Sequence, residues 1–411
     1  MEPQNSRGNS AIIVALADVA LHIQVRDEDA SGPITDWGKG RLAGTTGHRA
    51  LGACVDLLAA KFPREIAAVT RKTVERAVVG TLGEERASKT PDTSTVDTII
   101  GLVTKEPEEA WSVTRRVRNA LLEKRQPITL GPFQFWCYPD HLDEHLPVAS
   151  QQGISDSLKR SLAPDVECVM ATIDGLIARE RERALELAEQ HFRQLDDILQ
   201  FMLRADNDYI DAGVFLCRDP VALTSAVHSS TRSMVSTEMR GAVQAVPIDH
   251  PALRNRDAGH DAIWDILNTV ERTPLQRRIL SAVEWTGRGR RDPNRANAFV
   301  QFIFALEALL QYQEKGVLVS PGIAFSISET AAFLIGSTLE SRRDWARKVN
   351  RLYQVRSEIV HGRDRAVDVE HYWAAIELVS ELIRVLLTSG ELRSLVSIDE
   401  VRAWVEQEKY S

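Results

Sequence analysis

The stretch "LYQVRSEIVHG", Leu352 to Gly362, decides how the chain is read. Leu352, Val355 and Ile359 share one face by the 3.6-residue period, which makes the stretch the end of an amphipathic helix. At roughly 100° per residue, Arg356 falls beside that face, near a groove, and His361 lies about 140° further round. His361 followed by Gly362 has the form of a helix C-terminus: glycine takes the left-handed conformation there, and a basic side chain complements the negative end of the dipole. On that reading Arg356 is structural, and its partner is Glu307, the only charge in "FIFALEALL".

A second reading makes the pair chemical. The longer stretch "RRDWARKVNRLYQVRSEIVHGRDR", Arg342 to Arg365, holds eight basic residues against three acidic ones, the kind of local excess to which phosphates respond. The chain as a whole carries a formal net charge of -8 with a pI near 5.8. That balance excludes a protein that coats nucleic acid non-specifically, so any such contact is local.

Around this stretch the helical pattern is regular. "AIWDILNTVERTPLQRRILSAVEWT" reads as one or two helices, and "ANAFVQFIFALEALLQYQEK" as another with a wide apolar face. "AFSISETAAFLIG", "SRRDWARKVNRLYQVRSEIVH" and "VEHYWAAIELVSELIRVLLTSG" complete an all-α domain from Asp261 to Ser389, of four to six helices.

The N-terminal part is mixed. Residues 11 to 80 read as two helical stretches about the glycine-rich turn "ASGPITDWGKGRLAGTTGHRA", and "GEERASKTPDTSTVD" as a polar linker. "PEEAWSVTRRVRNALLEKRQ" has apolar spacing that suits a helix, and "PITLGPFQFWCYP" has the aromatic and β-branched bias of a strand or hairpin. From Asp165 to about Arg204 apolar residues recur at three- and four-residue steps, which predicts one long amphipathic helix or two in series. It is read as a bundle helix, with a dimerising coiled coil as the alternative. "AGVFLC" follows as a short strand, and "VPIDHPALRNRDAGHD" as a loop.

Four cysteines, Cys54, Cys137, Cys168 and Cys217, stand far apart with no C-x-x-C pair, so they read as free thiols of a reducing compartment. The apolar run "AIIVALADVAL" spans about eleven residues against the roughly twenty a membrane helix needs. The expected localisation is cytoplasmic, with no membrane partner.

"FIFALEALL", then an alanine- and leucine-rich helix, then "VNRLYQVRSEIVHG" and a closing amphipathic helix together resemble the HEPN superfamily, specifically its ApeA-like branch. The resemblance covers roughly residues 270 to 390, about a third of the chain. It implies a helical bundle that dimerises so that two Arg/His motifs line one cleft, where many members cut RNA without metal. Carried over, His361 is the acid or base and Arg356 the phosphate clamp, supported by Ser357, Glu358 and Glu307. Ser357 stands where many members have Asn, Asp or His, and serine cannot ionise. Arg363 stands where some HEPN toxins carry a tyrosine modified by a partner nucleotidyltransferase, which argues against that regulation. Such chemistry suits these residue types: imidazoles ordinarily titrate near about 6.5, and a guanidinium is always charged and fork-shaped.

Other constellations are weaker. In "DHLDEH", His141 and His145 are spaced for a metal, but the H-E-x-x-H order is missing and a solvated loop or helix start accounts for them better. "TGRGRRDPNR" lacks the G-K-[ST] of a phosphate-binding loop and reads as a basic interhelical loop. Its Arg288, Arg290 and Arg291 join Lys348, Arg351, Arg363 and Arg365 as expected RNA contacts. Trp111, Trp136 and Trp264 read as core or interface anchors.

The expected fold class is mainly α, with a C-terminal all-α HEPN-type helical bundle over 251–411 preceded by a mixed α+β N-terminal region over 1–250 with a long amphipathic helix. A further division near 150 stays open. The expected activity is metal-independent endoribonuclease, of a dormant toxin or effector in bacterial defence, without cofactor. Its expected partners are RNA, tRNA among them, a second copy of the chain, and an activating or inhibiting protein. The alternative is a non-catalytic HEPN-like module that dimerises and binds RNA or protein.

Overall fold

A computed structural model describes residues 4–24, 34–37, 40–85, 90–145, 167–203, 211–215, 221–228, 233–240, 244–312, 322–361 and 367–410. The chain divides into two units, Met1–Val113 with Ile173–Gln190, and Thr114–Thr172 with His191–Ser411. Neither is contiguous in sequence.

The first unit begins with α1 (Gln4–Leu21), whose Ile12, Leu16 and Val19 are buried, followed by β1 (Ile23–Gln24). β2 (Ile34–Trp37) and β3 (Gly40–Ala43) form a hairpin inside the stretch expected as a glycine-rich turn, and β3 also pairs β1 antiparallel, Ile23 opposite Leu42. Then come α2 (Gly44–Lys61), α3 (Pro63–Ala67), α4 (Arg71–Glu85) and α5 (Thr93–Val103). Leu51, Cys54, Leu58, Val74, Val78, Val96 and Ile99 share the core with α1. Of the stretch expected as a polar linker, 83–85 end α4 and 93–97 begin α5, while 86–89 lie outside the described residues. Asp92 caps α5 in a capping box with Thr95, so its polar residues satisfy helix-end N–H groups rather than remain solvated.

β4 (Glu109–Val117) replaces the helix expected there. Val113, Thr114 and Val117 are β-branched, and the alternation of "WSVTRRV" suits a strand as well as a helix. β5 (Ala120–Leu121) follows, and then the expected hairpin forms from β6 (Ile128–Leu130) and β7 (Phe133–Tyr138), with Leu130 opposite Phe133. After α6 (Leu142–His145) comes β8 (Cys168–Ala178), a second correction, since a helix was expected from Asp165. Cys168 to Ile173 are all buried. A strand covered on both faces reads as a continuous apolar run, in which three- and four-residue spacings occur by default. The sheet order β4-β8-β7-β6 makes β8 interior.

The long helix is therefore only α7 (Arg181–Leu203), whose Ala184, Ala188, Phe192, Leu195 and Ile198 are buried within the chain. Of the short strand expected in "AGVFLC", Gly213 makes one antiparallel bridge to Arg118, and Leu216 and Cys217 lie outside the described residues. β9 (Val221–His228) and β10 (Ser233–Arg240) form an antiparallel ribbon, and β11 (Val246–Pro247) pairs β5 in parallel.

The C-terminal helices follow the sequence pattern closely: α8 (His260–Asn268), α9 (Pro274–Arg291), α10 (Arg295–Leu310), α11 (Ile323–Ile335), α12 (Leu339–Val360) and α13 (Val369–Thr388). α14 (Ile398–Lys409) adds one more. Thr273 caps α9 in a capping box with Gln276, with Pro274 at the first helical position. α10 is the hub, packing against α9, α11, α12 and α13 through Phe299, Phe302, Ile303 and Leu306. Among the described residues no helix is long and apolar enough to cross a membrane.

Two glycines separate close approach from mere tolerance. A Cβ at Gly287 would lie 2.0 Å from the Asp197 carbonyl oxygen, whereas one at Gly80, within α4, would meet nothing within 4 Å. Gly287→Ala is expected to cost at least about 3 kcal/mol, and Gly80→Ala to stabilise its helix by about 0.5–1 kcal/mol. Denaturant titrations followed by circular dichroism should move the two midpoints in opposite directions.

Candidate functional site

α12 is started by Thr338, whose hydroxyl accepts from Ser341 N at 3.2 Å, and it buries Val349, Leu352 and Val355. The next residue on that edge is Arg356, as the periodicity requires. Its Nη2 lies 4.0 Å from Glu307 Oε1 on α10, with 32% of its side chain exposed. That separation makes an ion pair but is too long for a hydrogen bond. Arg356 Nε is enclosed without a hydrogen bond, and the Tyr353 hydroxyl likewise has none of good geometry. Burial, and then the negative charge of Glu307, push the Tyr353 phenol well above its usual range.

Glu307 also walls a groove of about 650 Å³ between the start of α9 and the end of α10, with Arg277, Arg278, Ser281 and Gln311. Arg278 donates from Nη1 to the Ala308 carbonyl at 2.8 Å, and burial lowers its guanidinium, which stays cationic. Sequence reasoning missed both arginines. The signal was "TPLQRR", a capping box followed at once by two cations on the first exposed turn.

His361 is the C-cap of α12, exposed, its backbone N–H donating to the Ser357 carbonyl at 3.1 Å. The structure thus joins Arg356 to Glu307, the expected pair, and leaves the imidazole outside that contact. Ser357 is exposed and Glu358 half-buried. Lys348 sits with Nζ 4.4 Å from the Trp345 ring centroid. Arg351 donates from Nε to His371 Nε2 at 3.0 Å, which places the proton of that buried imidazole on Nδ1, 3.6 Å from an Asp368 oxygen. Trp345, Arg347, Lys348 and Arg351 line a shallow open groove along α12. Arg363 and Arg365 lie outside the described residues.

Arg288, Arg290 and Arg291 are placed otherwise than expected, not on a loop but in the last turn of α9. The helix runs through "GRGRR" because its glycines permit close packing: a Cβ at Gly289 would come within 2.4 Å of Phe302. Arg288 donates from Nε to Asp197 at 2.8 Å, and Arg290 from Nη1 to the Phe201 carbonyl at 3.1 Å. Arg291 is buried, 3.6 Å from Asp197 and 3.5 Å from Asp211. These contacts hold α9 against α7 and the 211–215 segment, which takes the enclosed Arg291 out of any RNA footprint.

His141 Nε2 bonds the Arg125 carbonyl at 3.0 Å, and the His145 ring stacks on Trp136 with centroids 5.0 Å apart. Among the described residues no group of three or more His, Cys, Asp or Glu could hold a metal ion. Trp136 and Trp264 are buried, and Trp111 donates from Nε1 to the Ala178 carbonyl at 3.0 Å. Cys54, Cys137 and Cys168 are buried free thiols. Comparison with protein-family models, curated proteins and solved structures gives no match for the chain.

Burial pushes the Asp197 carboxyl up to about 6, although Arg288 and Arg291 pull it down; Glu284 adds repulsion. The folded chain therefore holds this proton more tightly than the unfolded chain, whose carboxyl titrates near 3.8. The penalty is present in full above pH 6 and is relieved as pH falls through that value. Between about pH 7.5 and about pH 5.5, the wild-type melting temperature should rise relative to that of Asp197→Asn. Parallel pH profiles for the two proteins would count against it.

Proposed function

We propose that the chain is a metal-independent endoribonuclease of the HEPN type, acting as a dimer, in which Arg356 and His361 act on one phosphodiester. The observation that carries this reading is the loose hold on Arg356. Its carboxylate partner among the described residues is beyond hydrogen-bond distance and about a third of its side chain is exposed, so the outer end of its guanidinium is open to the oxygens of a phosphate.

The reaction needs a base, an acid and an anion clamp. The ribose 2′ oxygen attacks phosphorus as its proton passes to an imidazole, the guanidinium stabilises the added negative charge, and the 5′ oxygen leaves with a proton from a second acid. The new 2′ O–P bond and the broken P–O5′ bond leave a 2′,3′-cyclic phosphate and a 5′ hydroxyl. One His361 serves one proton step, and the His361 of a second copy serves the other. Glu307 is a positioning residue that aligns the Arg356 fork, while Lys348 and Arg351 give α12 cations for the flanking phosphates. A dormant toxin of bacterial defence, with cytoplasmic RNA or tRNA as target, belongs to the same proposal.

A second reading has its own support: the Glu307 ion pair alone accounts for Arg356, and the helix end alone accounts for His361. On that reading the domain is a non-catalytic HEPN-like module that dimerises and binds RNA or protein.

Purified chain incubated with total RNA and tRNA in EDTA is expected to leave cyclic-phosphate ends. Arg356→Ala and His361→Ala should each slow cleavage by at least about 100-fold. If wild type, tested with its trigger present, cuts no faster than His361→Ala, the nuclease reading fails and the second stands.

A further inference from the structure

We infer that a cleft beside the edge strand β6, apart from the Glu307 and Arg356 cluster, binds a small phosphorylated molecule. Its volume is about 290 Å³, at the lower end of the range for small-ligand pockets. Its lining has the composition of such a pocket: Ile128, Ile248 and Pro251 are apolar, and Lys124, His250 and Arg254 are donors. Among the described residues, neither Lys124 nor Arg254 has a carboxylate partner within ion-pair distance, in a chain of net charge -8.

The one acid in the lining, Asp249, is committed elsewhere. Its Oδ1 accepts from Glu123 N at 3.1 Å and its Oδ2 from Lys124 N at 3.0 Å. It therefore clamps the Leu122–Arg125 turn and does not neutralise the cleft. The turn is fixed at its other end too. Arg125 adopts a left-handed φ of +54, a strained conformation for a residue with a side chain. It is held there by Asp140 and Glu167, each 2.7 Å from its guanidinium, and by His141 Nε2 against its carbonyl. Four side chains thus immobilise a surface turn, and the residue between the two clamps is Lys124.

The two other donors are also pre-set. His250 Nδ1 accepts from Ala252 N at 3.1 Å, so the neutral ring carries its proton on Nε2 and remains a donor. Arg254 donates from Nη2 to the Thr129 carbonyl, which anchors one arm of its fork and leaves the rest. A fork, a point charge and an imidazole donor match the oxygens of a phosphate monoester, and the isoleucines and Pro251 match a ring or short chain attached to it.

The full chain would be titrated calorimetrically, at low salt, with inorganic phosphate, AMP, adenosine and acetate. Binding of AMP is expected, with phosphate weaker and adenosine and acetate undetected. Lys124→Ala, on an exposed residue, should weaken AMP at least about tenfold, and Arg254→Lys should weaken it while preserving the melting temperature. Binding should persist in Arg356→Ala and His361→Ala, which keeps this inference independent of the nuclease reading. No heat with AMP or phosphate would overturn it. So would affinity unchanged in Lys124→Ala, or equal competition by sulfate and chloride, which would mark only a generic anion surface.

Discussion

The contact on which the second unit depends is the crossing of α7 and α9 at Gly287. Only a residue without a Cβ fits there, because the backbone of Asp197 occupies the space. The closeness of that crossing brings the Asp197 carboxylate within reach of Arg288 and Arg291, and Arg291 reaches on to Asp211. The neighbouring Asp196 accepts from Val214 N at 2.6 Å and Phe215 N at 2.8 Å, fixing the segment that carries Asp211. Buried charges of this kind add little net stability, since desolvation offsets their attraction, but a misregistered helix would leave one unpaired at a cost of several kcal/mol, about 3–5. They act as a register. α9, once set by it, presents Arg277 and Arg278 at its other end and carries α10, on which Glu307 meets Arg356.

The arginines of this unit fall into two kinds. Arg291 is enclosed by two carboxylates and is part of the core. Arg356 has one carboxylate at 4.0 Å and keeps a third of its side chain exposed. Residue type and local sequence are alike in both cases, a basic residue late in an amphipathic helix, and only the packing separates an enclosed cation from a partly exposed one.

That limit explains what could be read from the chain. The C-terminal helices were legible because their period is long and their caps are explicit, as in Thr273 with Gln276. The pairing of Arg356 with Glu307 was legible because a lone charge in "FIFALEALL" must find a partner. β8 was not, because a strand buried on both faces lacks the alternation that distinguishes it from a helix. "GRGRR" was misread as a loop for a related reason: glycine signals flexibility when nothing is known to approach it, and close packing when something does. The interrupted units were beyond any local pattern, since they depend on which distant segments meet.

The electrostatics of α12 follow from its neighbours rather than from its charge count. Arg347 is paired with Asp344, which removes one cation from the face. Lys348 rests on the Trp345 ring, and Arg351 donates to an imidazole nitrogen, so neither is neutralised by an anion. Among the described residues Lys348 and Arg351 thus keep their field in a chain whose net charge is -8, whereas that of Arg356 is offset in part by Glu307. Net charge and local field are therefore separate properties, since the acidic balance of the whole chain coexists with a cationic stretch on one helix. The exposed His361 stands at the end of that same helix, about 24 Å from Trp345 at 1.5 Å per residue. The imidazole is thus related to these cations by position along one helix and not by a shared contact.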